Sequence, residues 1–115
     1  MCSPGDIIVL DIPGVTGVKR RPAVVLSSDL YHANRPDLVL GLVTTRTAAA
    51  IGPTDCLLQD WAAAGLRLPS AFRAFLVTVP RVSVLGHVGH LSDADWQRVC
   101  GCVRTALAVL EAAAP

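Results

Sequence analysis

The chain has 115 residues, 52% of them apolar and 17% charged, with a net charge of +1. Its length fits one domain, residues 1–115, with its own core. The near-neutral charge excludes a polycation that coats nucleic acid by bulk electrostatics, and the charged fraction, below the usual roughly 25%, implies a surface partly covered by a partner, with a homodimer as the default.

Gly5-Asp6 opens the first predicted strand, Ile7 to Asp11, rich in β-branched residues. Ile12 to Gly17 reads as a loop because Pro13-Gly14 marks a turn and Gly17 tolerates positive φ. Lys19, Arg20 and Arg21 then end at Pro22, where a second strand runs to Ser27. Pro22 suits a strand start, since it lacks the N–H a central ladder needs. A connector from Ser28 to Asp37, with a helical turn after Ser28, leads to a third strand, Leu38 to Thr44. Arg46 to Thr54 is a flexible loop. Asp55–Leu58 and Leu66–Pro69 read as short strands around one or two helical turns at 59–64, which Gly65 closes. Arg73 to Val79 is a further strand, Arg81 to Leu85 a strand or turn, and Gly86 to His90 a turn region.

The C-terminal segment is the clearest helix. Ser92 is a good N-cap, and Asp93 and Asp95 suit the positive end of the helix dipole. Trp96, Val99, Val103, Ala106, Leu107 and Leu110 form one apolar stripe. Short strands with Gly/Pro turns followed by one helix indicate a mainly β (α+β) fold, a small barrel with the helix packed on it.

Arg21 is the leading candidate for function. A guanidinium is permanently charged, presents a rigid fork that matches phosphate oxygens, and is pre-positioned at a strand end. The alternative is that Arg21 caps the strand edge or pairs with an acid such as Asp29. Thr44 and Thr45 close the third strand, and a hydroxyl there can donate to a phosphate oxygen or accept from a ribose 2′-OH. Ser27, Asp29 and His32 contain the residue types of a hydrolytic triad, but no Gly-x-Ser-x-Gly elbow surrounds Ser27. His87 and His90 would share a metal only on a helix, and the glycines beside them argue for a turn; no metal site is expected. Cys2, Cys56, Cys100 and Cys102 form no CxxC pair and no zinc spacing, as expected of thiols in a reducing compartment. With no signal-peptide pattern and no apolar run of ~18 residues, a soluble cytoplasmic protein is expected.

The chain resembles the MazF/PemK family of toxin endoribonucleases. The likeness begins at Gly5-Asp6-Ile7-Ile8-Val9-Leu10-Asp11 and is strongest at Arg21-Pro22-Ala23-Val24-Val25-Leu26-Ser27, with Tyr31 four residues on. It continues at Leu42-Val43-Thr44-Thr45, Thr78 to Arg81 and Gly89-His90-Leu91-Ser92, and is only in outline from Arg46 to Phe75. The resemblance implies a small SH3-like barrel with a C-terminal helix, a homodimer and an antitoxin partner. It also implies cofactor-free, metal-independent cleavage of single-stranded RNA at short motifs, in which the 2′-OH attacks the adjacent phosphate to leave a 2′,3′-cyclic phosphate and a 5′-OH. The family's catalytic pair maps to Arg21 and Thr44.

Lys19, Arg20, Ser27, Thr45 and Arg81 are then the expected RNA contacts, with Tyr31, Trp61 and Phe72 the aromatics available for stacking. Two departures stand out. Many relatives carry a Gly-Ser-Glu-Gln type loop before the arginine, whereas residues 13–20 here hold no carboxylate and no Gln. His32, beside Tyr31, is the second, and is a candidate helper in proton transfer, since imidazole titrates near pH ~6.5. The rival reading is a non-catalytic SH3-like module that binds protein or nucleic acid on the same barrel.

Overall fold

The computed structural model describes residues 2–14 and 17–110; Met1 and, in the predicted loop, Val15 and Thr16 lie outside the described residues. Strands β1 (Asp6–Gly14) and β2 (Gly17–Val25) form a hairpin with an unbroken register from Ile7↔Val24 to Gly14↔Gly17. The segment expected to be a loop is therefore largely strand, and Lys19, Arg20 and Arg21 lie inside β2. Cross-strand pairing satisfies backbone groups that a loop would leave to water, and Asp11 and Arg20, directly opposite, join in an ion pair at 3.1 Å.

After β2 come a short helix, α1 (Asp29–Asn34), and β3 (Asp37–Thr44). Ser28 caps α1 by accepting the Tyr31 N–H at 3.1 Å. Next are β4 (Asp55–Leu57), β5 (Ala71–Pro80), β6 (Gly86–His90) and α2 (Asp93–Ala106). The segment expected to turn at Gly86–His90 is thus a strand, held along β1. Leu66–Pro69 forms no strand, residues 59–65 are turns, and Arg81–Ser83 is a 3-10 turn. Helix α2 starts at the expected Ser92 cap, whose Oγ accepts the Asp95 N–H at 3.2 Å, and ends at Ala106.

The strands make one curled antiparallel sheet in the order β4-β5-β3-β2-β1-β6. Both faces are covered, because side chains alternate across a strand. Ile7, Val24, Val43 and Phe72 pack with Val99 and Cys102 of α2. Ile8, Leu10, Ala23, Val25, Leu38 and Leu40 form a second core on the opposite face of the sheet, against which Val77, Val79 and Val84 pack. Gly41 is required where the Phe72 ring crosses β3, since a Cβ there would stand 2.3 Å from the ring.

Asp95 anchors α2 to the turn after β4. The carboxylate is fully buried and accepts the Gln59 N–H at 3.0 Å and the Asp60 N–H at 2.8 Å, with Arg98 beside it. Burial pushes its pKa up, but these donors outweigh burial and hold it below the ordinary carboxylate value. The role expected from sequence, a favourable charge at the helix start, misses this anchoring function. All four cysteines are free, and burial first, with Cys102 as neighbour, pushes the Cys56 thiol up to about 12, which removes it from thiolate chemistry. Among the described residues no helix is long and apolar enough to cross a membrane.

Candidate functional site

The cleft that holds Arg21 and Thr44 follows from one residue, Pro22. The Leu26 N–H reaches the Val39 carbonyl at 2.9 Å, so alternation turns the backbone edge of residue 22 toward β3 as well. Pro22 has no N–H to give there. The β2–β3 ladder accordingly covers only Ala23↔Leu42 to Val25↔Leu40 and stops at the proline. Extending that register by two residues sets Arg21 opposite Thr44, where the strands are no longer tied. A cleft of about 610 Å³ opens at this point, and both side chains line it.

Alternation also sorts the cations. Arg21 shares the face of the second core with Ala23 and Val25, and Thr44 shares it with Leu40 and Leu42. Lys19, two residues before Arg21, projects on the same side, opposite Ile12 at the cleft's lip. Arg20 projects to the other face and is spent on Asp11. Thr44 Oγ1 accepts the Arg46 N–H at 3.1 Å, which fixes the hydroxyl oxygen and leaves its proton free to donate. Among the described residues the Arg21 guanidinium has no hydrogen bond or ion pair. The alternative that it pairs with Asp29 fails, because Asp29 is in α1 beside His32.

Three residues that sequence reasoning did not place in the site complete the cleft: Arg46, Arg73 and Phe75. Arg73 leans on Asp55 at 3.6 Å, and the Asp55 carboxylate also accepts the Gly52 N–H at 3.2 Å. The cleft therefore holds three guanidinium-bearing side chains and one carboxylate, a net positive field suited to an anion.

Several expected contacts lie elsewhere. Ser27, His32 and Arg81 sit at the opposite end of the sheet; Ser27, just past the end of β2, is six residues from Arg21, roughly 20 Å at strand spacing. Ser27 is buried, and its Oγ accepts the Val39 N–H at 3.0 Å and meets His32 Nε2 at 2.6 Å. His32 Nδ1 stands 4.0 Å from Asp29, so a serine–histidine–aspartate order exists, but its hydroxyl is buried and away from the cleft of Arg21 and Thr44. The tie to Ser27 holds α1 against β3 and takes His32 away from Arg21 and Thr44 within the chain. Arg81 donates to the carbonyls of His32 at 3.0 Å and Arg35 at 2.6 Å, ending α1. Thr45 is exposed beyond β3 and does not line the cleft. Phe72 is fully buried, and Trp61, partly buried against the same core, does not line this cleft. His87 and His90 both turn onto Asp6, at 3.3 and 2.7 Å. Burial raises the Asp6 pKa, but its hydrogen bonds from His90, the Ser3 N–H and His87 win and lower it.

Fold and cleft together define a class: a small, curled, mostly antiparallel β domain with a terminal helix and an anion-ready groove at one end of the sheet. Residues 3–107 match the family described as PemK-like, MazF-like toxin of type II toxin-antitoxin system, and the chain belongs to that family. Among curated proteins none matches the sequence significantly. Solved structures share the fold at low identity. An endoribonuclease in complex with its cognate antitoxin from a mycobacterial species superposes with a TM-score of 0.80 at 17% identity, covering 95% of this chain and 97% of that one. MazF from Deinococcus radiodurans gives 0.70 at 22% identity, covering 92% and 96%. A MazE-MazF structure from the same organism gives 0.67 at 21% identity, covering 90% and 92%.

Proposed function

We propose that this toxin is a metal-independent endoribonuclease that cuts single-stranded RNA at short motifs, with Arg21 and Thr44 as its catalytic pair. The observation that carries the reading is that both line one cationic cleft, beside the point where Pro22 ends the ladder. In the reaction the ribose O2′ forms a bond to phosphorus while the P–O5′ bond breaks. The 2′-OH proton leaves to a base, the 5′-oxygen takes up a proton, and the products are a 2′,3′-cyclic phosphate and a 5′-OH. Negative charge grows on the phosphoryl oxygens, and a fixed guanidinium with a hydroxyl donor stabilises it most where it is greatest. A guanidinium is permanently charged, so Arg21 acts by charge and by hydrogen bonding to the departing oxygen. Holding the 2′-OH in line with the leaving oxygen supplies a further share.

An unstacked single strand fits an open cleft better than a duplex does, and its bases can be read along their edges. Structural neighbours that are an endoribonuclease with its cognate antitoxin and a MazE-MazF pair support a cognate antitoxin that controls this chain. The low charged fraction supports a homodimer. The decisive experiment incubates the purified protein with single-stranded RNA in EDTA, beside Arg21→Ala and an all-DNA copy of the substrate. Cleavage by the wild type alone, confined to RNA and leaving cyclic phosphate ends, is expected. Cutting that survives Arg21→Ala, or that chelation abolishes, overturns the mechanism. No cutting under any condition leaves the non-catalytic binding module as the reading.

A further inference from the structure

We propose that Phe75 is the stacking platform for a nucleobase beside the scissile phosphate. The inference rests on single-stranded RNA being the substrate. Opposite Gly41 the β3–β5 register runs Gly41↔Leu76, and the next pair is Leu42↔Arg73. Ala74 and Phe75 therefore face no residue of β3 and form a bulge in β5. Bulges of this kind re-aim side chains beside sites. Here the bulge leaves Phe75 61% exposed, while Phe72, three residues earlier, is fully buried. A lone exposed apolar residue needs no explanation on an open surface. Phe75, however, lines the same cleft as Arg21 and Thr44, within a ring of cations, where an aromatic face meets whatever the arginines attract.

A phosphate held between Arg21 and Thr44 brings its own bases to the cleft wall. A phenyl ring offers them a π face, and every base can use it. Phe75 then supplies affinity and in-line orientation, and sequence readout belongs to other groups. The ring is also absent from the expected stacking residues, since only the bulge distinguishes it from Phe72.

Phe75→Leu keeps apolar bulk and loses the π face; Phe75→Tyr keeps both. For the leucine variant KM is expected to rise about tenfold, by a similar factor for every RNA tested, with the preferred cleavage positions unchanged. The tyrosine variant is expected to stay within about twofold of wild type. In a third variant, Phe75→Trp, the added indole fluorescence is expected to be quenched on mixing with the uncleavable all-DNA copy, beyond the signal of Trp61 and Trp96 in the wild type. If the wild type cuts RNA and Phe75→Leu leaves KM unchanged, the stacking role is wrong and the nuclease reading stands. A leucine variant that alters the elution volume of the native protein while KM holds would make this ring part of a self-association surface, which also overturns the proposal. If the wild type cuts no RNA and Phe75→Trp is not quenched by single-stranded RNA, both readings fail.

Discussion

The Arg21 guanidinium works by position and by permanent charge, and the two properties separate by substitution. Arg21→Lys keeps the charge and loses the planar fork that spans two phosphoryl oxygens. Its single-turnover rate on RNA is expected to fall about 10- to 100-fold, less than the roughly 100- to 1,000-fold expected of Arg21→Ala as loss of a transition-state donor. Thr44 differs, because its oxygen is already held by the Arg46 N–H and only its proton is offered to substrate. Thr44→Ser preserves that proton and is expected to retain activity within about tenfold, whereas Thr44→Ala should lose roughly 100-fold in rate with little change in KM. A large rise in KM for Thr44→Ala would instead make the hydroxyl a ground-state contact. At this scale the sequence was informative where a residue type declares its chemistry beside a strand end, as Arg21 does before Pro22. It showed Arg46 only as a cation just past the third strand and gave no sign of Arg73 or Phe75, which reach the cleft through the fold and, for Phe75, the β5 bulge. The polar groups of Ser27 and Arg81 are engaged inside the fold, away from this cleft.

At the scale of elements, backbone geometry explains both what sequence periodicity revealed and what it hid. Helix α2 was legible from Ser92 and its apolar stripe. Strand β6 was hidden, because Gly-His-Val-Gly-His offers no alternation and two glycines that resemble a turn. The structure supplies the reason for one of them: a Cβ on Gly89 would lie 2.0 Å from the Ala64 carbonyl oxygen. Gly89→Ala is therefore expected to lower stability by about 2–3 kcal/mol in urea unfolding. Gly101→Ala, in the middle of α2 with open space around the new Cβ, is expected to raise it by roughly 0.5–1 kcal/mol. Equal effects at the two positions would contradict the close approach of β6 to the 61–65 turn. Asp95 links α2 to the opposite side of the same turn. Because its pKa is depressed, its contribution is present at neutral pH and is lost as pH falls below the ordinary carboxylate value of about 3.9. Asp95→Asn swaps one acceptor for a donor facing the Gln59 and Asp60 N–H groups. It should cost about 2 kcal/mol at pH 7 and give a flatter stability profile between pH 5 and 2, where wild type falls steeply. Parallel profiles for the two proteins would remove Asp95 from the acid response.

For the whole molecule, a net charge of +1 hides a strong separation of charge along the sheet. Arg35 pairs with Asp37, and Arg81 is turned onto α1, so the end of the sheet away from the cleft is neutralised locally. On the other face of the sheet Arg20 is paired with Asp11. Arg21, Arg46 and Arg73 remain at the cleft, opposed there by Asp55, with Lys19 across the β1–β2 hairpin from Ile12 of its lining. Binding to single strands should then depend on a few local phosphate contacts and little on the field of the protein as a whole. With three or four phosphates neutralised, the slope of log affinity against log salt is expected to be about −2 to −3 for an uncleavable all-DNA single strand followed by anisotropy. Arg46→Gln should make that slope shallower by about 0.7, the share of one contact. Arg20→Gln should leave it unchanged, because that side chain faces away and its charge is already paired. A slope near zero would mean that the cleft does not bind the backbone, and one steeper than about −5 would need cations beyond the cleft, such as those of a second copy across an interface.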